Sequence, residues 1–410
     1  MLDSNSILYF AAINCVNDKS KAYWDGVSAS LGVKASQYID IAKYLSKNRI
    51  IPRRGDWASP WRTAVVPGFE MPAYDPDFKM SFEEVTYLKA LDIKKIINKT
   101  AARVAVYYSG GIDSTVCLAA LIKYLSSEEI KYVDVCLSSE SIIENPYFFK
   151  KYIFNKFAIY DSAKIRYDFF QKNKNYAITS DLGDSIFGTE LGTNLYFNYF
   201  SNLDHLSSQS RNHLEKIAFK ISDPSVHYSE YKDLLISYFQ LKKSPLFGEY
   251  FYNVIDQNIK TSAVPVITLH DYFWWYIFNL KYMECALRSS IYYSIPESIE
   301  DSIQKYVINW FNHPNYQLWS MANNNNGNKI SSLSPTTYKM AARKFIYDLD
   351  KNDWYFKYKS KISSLINIAK RNADVIPNRF IFALDDKYQA YYYGDVQTNQ
   401  FIIKQLEGFV

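Results

Sequence analysis

Apolar and polar positions first settle into a regular pattern over residues 81–100, SFEEVTYLKALDIKKIINKT, where the apolar residues recur at helical spacing. Ser81, with Glu84 three residues later, forms a capping box and sets the start of the helix. From Arg103 the period changes. RVAVYY is a short β-branched and aromatic run, the pattern of a buried strand. SGGIDS comes directly after it, and TVCLAALIKYL, which has no Gly or Pro, predicts a helix. KYVDVCL predicts a second buried strand, NPYFFKKYIFNKF and SAKIRYDFFQKN two helices, and YAITS a third strand. This alternation predicts an α/β fold: a parallel twisted sheet with helices on both faces. Ligands of such sheets sit outside the carboxyl ends of the strands.

The flanks read differently. SQYIDIAKYLSKN has helical patterning, and IIPRRGDWASPWRTAVVPGFEMPAYDP, rich in proline, reads as irregular loop. Beyond about residue 195 the pattern is mostly helical and strongly aromatic, and FIFALDDKYQAYYYGDVQTNQFIIKQL alternates like a terminal hairpin. The expected organisation is an N-terminal extension over 1–80, a core domain over 81–350, and a C-terminal helix and hairpin over 351–410.

Composition narrows the function classes. With 48% apolar and 22% charged residues, the chain is that of a folded protein. A net charge of +5 is too small to imply nucleic acid, which is not expected as a partner. Cys15, Cys117, Cys136 and Cys285 form no C-x-x-C pair, which argues against disulfide staples and structural zinc and for a reducing, cytoplasmic setting. The five histidines show no zinc-type spacing, and no G-x-S-x-G elbow exists. The most apolar run, YFWWYIFNLKYMECAL, carries Lys281 and Glu284 and falls short of the roughly 20 clean residues a membrane span needs. It reads as a buried helix, and no membrane partner is expected. WYFKYKSKISSLINIAKR interleaves Lys357, Lys359 and Lys361 with aromatics and reads as a solvated helix start.

Glycine is scarce, at 13 of 410 residues, so its clusters need a reason. Gly110 and Gly111 come after the first strand; Gly183, Gly188 and Gly192 come after the third. In Ser109-Gly110-Gly111-Ile112-Asp113-Ser114 two glycines let the backbone approach a phosphate and aim successive N–H groups at it. The next helix adds its positive end, and Ser109 and Ser114 add hydroxyls. Asp113 would repel phosphate unless Mg²⁺ lay between them. The loop has neither Walker nor dinucleotide spacing.

SGGIDS after an apolar strand resembles the pyrophosphate loop of the ATP pyrophosphatase (PP-loop) superfamily. Within it the string is most similar to the synthetase domain of asparagine synthetase, β-lactam synthetase and lasso-peptide cyclase, whose fold is of the adenine nucleotide alpha hydrolase type. A second string, TSDLGDSIFG over Thr179–Gly188, resembles the family's TGDGGDELFG, with Leu182 for a usual glycine and Ser185 for the usual glutamate, and with Thr189, the next residue, in place of a glycine. The resemblance implies that Ser109, Gly110, Gly111, Asp113 and Ser114 bind the ATP pyrophosphate, that Asp113 and Asp184 hold Mg²⁺, and that Asp181 takes a proton from the attacking amine. Tyr338-Lys339-Met340-Ala341-Ala342-Arg343 is similar to a family segment with a lysine four residues before an arginine. Lys339 would then reach the pyrophosphate and the forming oxyanion, with Arg343 beside it in the catalytic set.

The resemblance implies an ATP-dependent ligase. It would adenylate a small-molecule or peptide carboxylate, release pyrophosphate, and pass the acyl group to ammonia or another amine. Leu2 stands where the family's glutaminase domain has its cysteine, so no glutamine hydrolysis is expected in this polypeptide, and a separate glutaminase is a candidate partner. The stretch between the two motifs is shorter than in the family, which bears on the carboxylate pocket. Three alternatives remain open: a PP-loop enzyme acting on a nucleobase or tRNA, one closing a peptide macrolactam, and a nucleotide-binding protein without turnover.

Overall fold

The computed structural model describes residues 53, 69–162, 175–188, 223, 225–239, 245–283, 285, 306–323, 329, 338–359, 381–384 and 390–393. The chain divides into two compact units. One comprises Asp77–Asp184, Leu287–Trp319 and Gly327–Val410; the other comprises Met1–Pro76, Ser185–Ala286 and Ser320–Asn326. The expected helices over 36–48 and 163–173, with Cys15, Thr189, Gly192 and Lys361, lie outside the described residues.

The first unit opens with α1 (Phe82–Thr100). Its start is the capping box expected of the sequence: the Ser81 hydroxyl accepts from the Glu84 N–H at 3.2 Å, and the Glu84 carboxylate accepts from the Ser81 N–H at 2.7 Å. Such caps contribute about 1 kcal/mol by satisfying N–H groups the helix leaves free. The buried face carries Phe82, Val85, Ile93 and Ile97. Tyr316 donates to Thr86 at 2.9 Å and accepts from the Trp310 indole at 3.0 Å.

The sheet comes next. β1 (Val104–Tyr107) leads through the glycine loop into α2 (Ile112–Tyr124), and β2 (Val133–Leu137) into α3 (Ser139–Glu144). β3 (Ala158–Asp161), β4 (Tyr176–Thr179) and β5 (Val307–Asn309) complete five strands. All pairings are parallel, in the order β3-β2-β1-β4-β5. β2 is buried at every position, as a strand covered on both faces must be. Ala105, Cys136, Ala177 and Val307 meet in one core cluster across four strands. β5 adds one short strand to a region beyond 195 that is otherwise mostly helical where described, as expected, and β3 fills the gap between two stretches with helical pattern. Strands of three and four residues are too short to show alternation.

The order fixes the ligand end of the sheet. From β1 the chain steps outward through β2 to β3, then returns to the opposite side of β1 with β4 and β5. β1 and β4 therefore flank the point where the winding reverses, and their carboxyl ends splay apart to leave a crevice. After β5 come α4 (Pro314–Ala322), α5 (Met340–Asp350) and α6 (Asp353–Tyr358). β6 (Ile381–Leu384) and β7 (Ala390–Tyr393) pair antiparallel, the hairpin expected of the tail.

The described residues of the second unit include the helices Lys232–Phe239, Pro245–Lys260 and Leu269–Tyr276, the last widening into a π turn over Ile277–Lys281. The aromatic run is buried over Tyr272–Leu280, as expected. Arg53 donates to the carbonyls of Phe69 at 2.9 Å, Glu70 at 3.0 Å and Phe278 at 3.1 Å, and lies 3.7 Å from the Tyr282 ring centroid. No helix among the described residues is long and apolar enough to cross a membrane. Cys117, Cys136 and Cys285 are buried thiols in no disulfide.

Candidate functional site

The loop after β1 is built around Gly110. Its φ of 74° is left-handed, and a Cβ there would strike the Ser141 carbonyl oxygen and lie 2.9 Å from the Glu144 Cβ. Only glycine meets both demands. Gly111 caps α2 without a side chain, so the positive end of the helix is not closed by its own residue. The Ser109 hydroxyl accepts from the Gly111 N–H at 3.2 Å and stands 3.1 Å from the Ser114 hydroxyl. The Ser114 and Thr115 hydroxyls donate to the Gly111 carbonyl at 3.2 and 2.8 Å. From α6, the Tyr355 phenol donates to the Gly110 carbonyl at 3.1 Å; burial pushes its pKa well above the usual value, so it stays a neutral donor.

The loop after β4 comes up beside it. The Thr179 hydroxyl donates to Asn309 at 2.8 Å, tying the ends of β4 and β5 together. The turn beyond it closes with the Gly183 N–H donating to the Ser180 carbonyl at 3.1 Å. A Cβ on Gly183 would overlap the Asp113 carboxylate, so the glycine is what lets Asp113 lie against this turn. Asp184 is the next residue.

Lys339 joins the two loops. It caps α5 in a left-handed conformation, φ 54°, with its N–H donating to the Lys329 carbonyl at 2.6 Å and its carbonyl accepting from the Arg343 N–H at 2.9 Å. Its ammonium bonds the Asp113 carboxylate and lies 2.7 Å from the Asp184 Oδ1, and the residue is 3% exposed. Two carboxylates from separate strand ends thus share one buried cation.

One further pair lines the same cavity. Lys359, 1% exposed, bonds Glu144, 4% exposed, at 2.6 Å. This corrects the reading of Lys359 as part of a solvated helix start; Lys357, the neighbour that is exposed, pairs with Asp353 at 3.3 Å. The cavity is bounded by Ser109, Gly111, Asp113, Glu144, Ser180, Asp181, Asp184, Tyr338, Lys339 and Lys359, with Ile112 on its wall. Asp113, Asp181, Asp184, Lys339, Ser109 and Gly111 are therefore brought together as the motifs grouped them, and Gly110 and Ser114 shape the loop beneath.

Arg343 sits elsewhere. Its guanidinium is fully buried outside the cavity lining and donates to the carbonyls of Tyr338 at 2.8 Å, Phe356 at 3.0 Å and Lys359 at 2.5 Å. It ties the start of α5 to the end of α6, and so fixes the backbone that carries Lys339 and Lys359. Its place is that of a positioning residue, while Lys339 faces the cavity.

Four carboxylates, Asp113, Glu144, Asp181 and Asp184, meet two ammoniums, Lys339 and Lys359, leaving a formal charge of −2 on the lining. Such a lining repels a bare polyphosphate and accepts one that arrives with a divalent cation. Among the described residues no group of three or more His, Cys, Asp or Glu could hold a metal by itself. Mg²⁺ needs no such group, since it takes one or two protein carboxylates and fills its octahedron with phosphate and water. Asp113 and Asp184, already close enough to share one ammonium, fit that requirement. Set against known proteins, the chain matches no family model, no curated protein and no solved structure.

Proposed function

We propose that the chain is an ATP-dependent carboxylate–amine ligase on an adenine nucleotide alpha hydrolase-type fold. The single observation that carries this reading is the junction of the half-buried Asp113 and Asp184 with the buried Lys339 at the point where the sheet reverses its winding, beside a glycine loop and a helix N-terminus. ATP phosphates would lie along Ser109–Ser114, met by backbone N–H groups and the two serine hydroxyls. Bound Mg²⁺, held by Asp113 and Asp184, would offset phosphate charge.

The substrate carboxylate attacks the α-phosphorus, the bond from that phosphorus to the bridging oxygen breaks, and pyrophosphate leaves. Lys339 and Lys359, both buried, would supply two positive charges where the leaving group gathers negative charge. An amine then attacks the acyl carbon and AMP departs. Asp181, on the cavity wall with Asp184, would take the proton the amine loses. Aspartate with ammonia is the default pair, and a partner glutaminase is one source of the ammonia.

The test is ATP–pyrophosphate exchange with a panel of amino-acid and peptide carboxylates and, in a separate arm, RNA. Exchange that depends on a carboxylate, and falls by about 100-fold or more in Asp113→Asn, is the expected result. RNA-dependent exchange, or AMP release unchanged by that substitution, overturns it.

A further inference from the structure

The Lys339 ammonium occupies the position between Asp113 and Asp184 that the ligase reading gives to a divalent cation. We infer that this lysine is the site's built-in counter-ion, and that the site consequently takes a divalent cation only together with a polyphosphate. The inference rests on the ligase reading and adds to it a statement about which ligand enters first.

The argument is one of charge and burial. Two half-buried carboxylates close enough to share one ammonium repel each other, and a cation between them relieves that repulsion in the folded chain. Lys339 meets that need without any ligand. Its carboxylate partners come from two different strand ends, and its own backbone is pinned at both sides by Lys329 and Arg343, so the ammonium is delivered by a fixed main chain on a flexible side chain. A bare divalent cation entering the site would have to displace an ammonium whose alternative position lies beside the same cation, two positive charges in one small cavity. When the cation arrives carrying phosphates, the displaced ammonium has phosphate oxygens to move to. The exchange then keeps the number of opposite-charge contacts: carboxylates pass from ammonium to metal, and the ammonium passes from carboxylates to phosphate. Free metal has no such compensation. The structure therefore favours ordered entry, with the metal–nucleotide complex as the ligand and the free ion as a poor one.

The experiment measures binding of Mn²⁺, by its electron paramagnetic resonance signal and by calorimetry, with no turnover. The full chain is titrated with Mn²⁺ alone and with Mn²⁺ plus a non-hydrolysable ATP analogue, as wild type and as Lys339→Gln, after circular dichroism has confirmed the fold of the variant. The expected result is that wild type binds the Mn²⁺–nucleotide complex and binds bare Mn²⁺ weakly, while Lys339→Gln binds bare Mn²⁺ about tenfold tighter or more. Equal bare-metal affinity in the two proteins overturns the inference and leaves the ligase reading standing if the nucleotide complex still binds. Wild type that binds no nucleotide complex overturns the ligase reading, whatever the variant does. If Lys339→Gln does not fold, wild type decides alone: bare Mn²⁺ bound as tightly as the nucleotide complex contradicts ordered entry, and a tenfold preference for the complex supports it.

Discussion

Lys89 shows how much a single buried charge tells about this chain. It lies on α1, almost wholly buried, and burial lowers its pKa to about 8, against the opposing pull of Asp92 and Cys117. At pH 7 the folded chain holds an ammonium where its surroundings disfavour one. Between about pH 8 and 10.5 the unfolded chain still binds this proton and the folded chain does not, so this group's contribution to stability grows as pH rises through that window. Lys89→Met removes the burden: the variant should be more stable at pH 7, by at most about 3 kcal/mol, and the difference from wild type should shrink at pH 10. Urea unfolding at the two pH values checks this, and a variant less stable at both would sink it. Asp350 carries the opposite case, an acid whose pKa burial raises to about 6. There the folded chain binds the proton first, so stability falls as pH rises from about 4 to 6. Asp350→Asn should flatten that slope, because an amide oxygen can still accept from the Asn352 N–H as the carboxylate does at 2.8 Å. At this scale the sequence was legible only where chemistry sat in a local string. Asp113 and Asp184 each stand in such a string, in SGGIDS and TSDLGDS. Lys359 and Glu144 do not: one lies among alternating lysines and aromatics and the other ends a short helix, and nothing local marks two residues 215 positions apart as partners.

Among the elements, the corner between α5 and α6 depends on one side chain. The Arg343 fork reaches four carbonyls, those of Tyr338, Tyr355, Phe356 and Lys359, which lie just before α5 and at the end of α6. Arg343→Met would remove the guanidinium donors from those carbonyls in a buried place, at a cost of about 3 kcal/mol or more. Lysine cannot stand in, because a single ammonium has no planar fork. We expect Arg343→Lys to remain destabilised and to show faster hydrogen exchange over 338–359, while exchange in α1 is unchanged; exchange at wild-type rate in that segment would assign Arg343 no such part. The elements themselves were unevenly legible. α1 declared itself through Ser81 and Glu84, and β1, β2 and β4 through runs of β-branched and aromatic residues before a turn. β3 and β5 were missed: β3 falls between two stretches of helical pattern, β5 holds only three residues, and both lie at the edges of the sheet, where the neighbouring strand decides their pairing.

For the whole molecule, the strand order converts these local facts into one expectation. The two loops that carry carboxylates leave β1 and β4, neighbours in the sheet but with β2 and β3 between them in the chain. Sequence alone placed both at strand ends; it could not say that the ends adjoin, because adjacency comes from the reversal of winding and not from either string. The lysines arrive from a third region, α5 and α6, after β5 has closed the sheet edge. A ligand at this junction must therefore protect three segments far apart in sequence and in one event. Adding a non-hydrolysable ATP analogue with Mg²⁺ at about 100 times its dissociation constant should raise unfolding stability by roughly 2.7 kcal/mol. Hydrogen exchange should slow together at 109–114, 180–184 and 338–359, with the midpoint of protection in each segment at the same nucleotide concentration. Protection confined to 109–114 would mean that the glycine loop binds phosphate by itself and that the acidic turn and the lysines take no part. Protection in all three, absent when Mg²⁺ is chelated, is the result that the charge balance of the cavity requires.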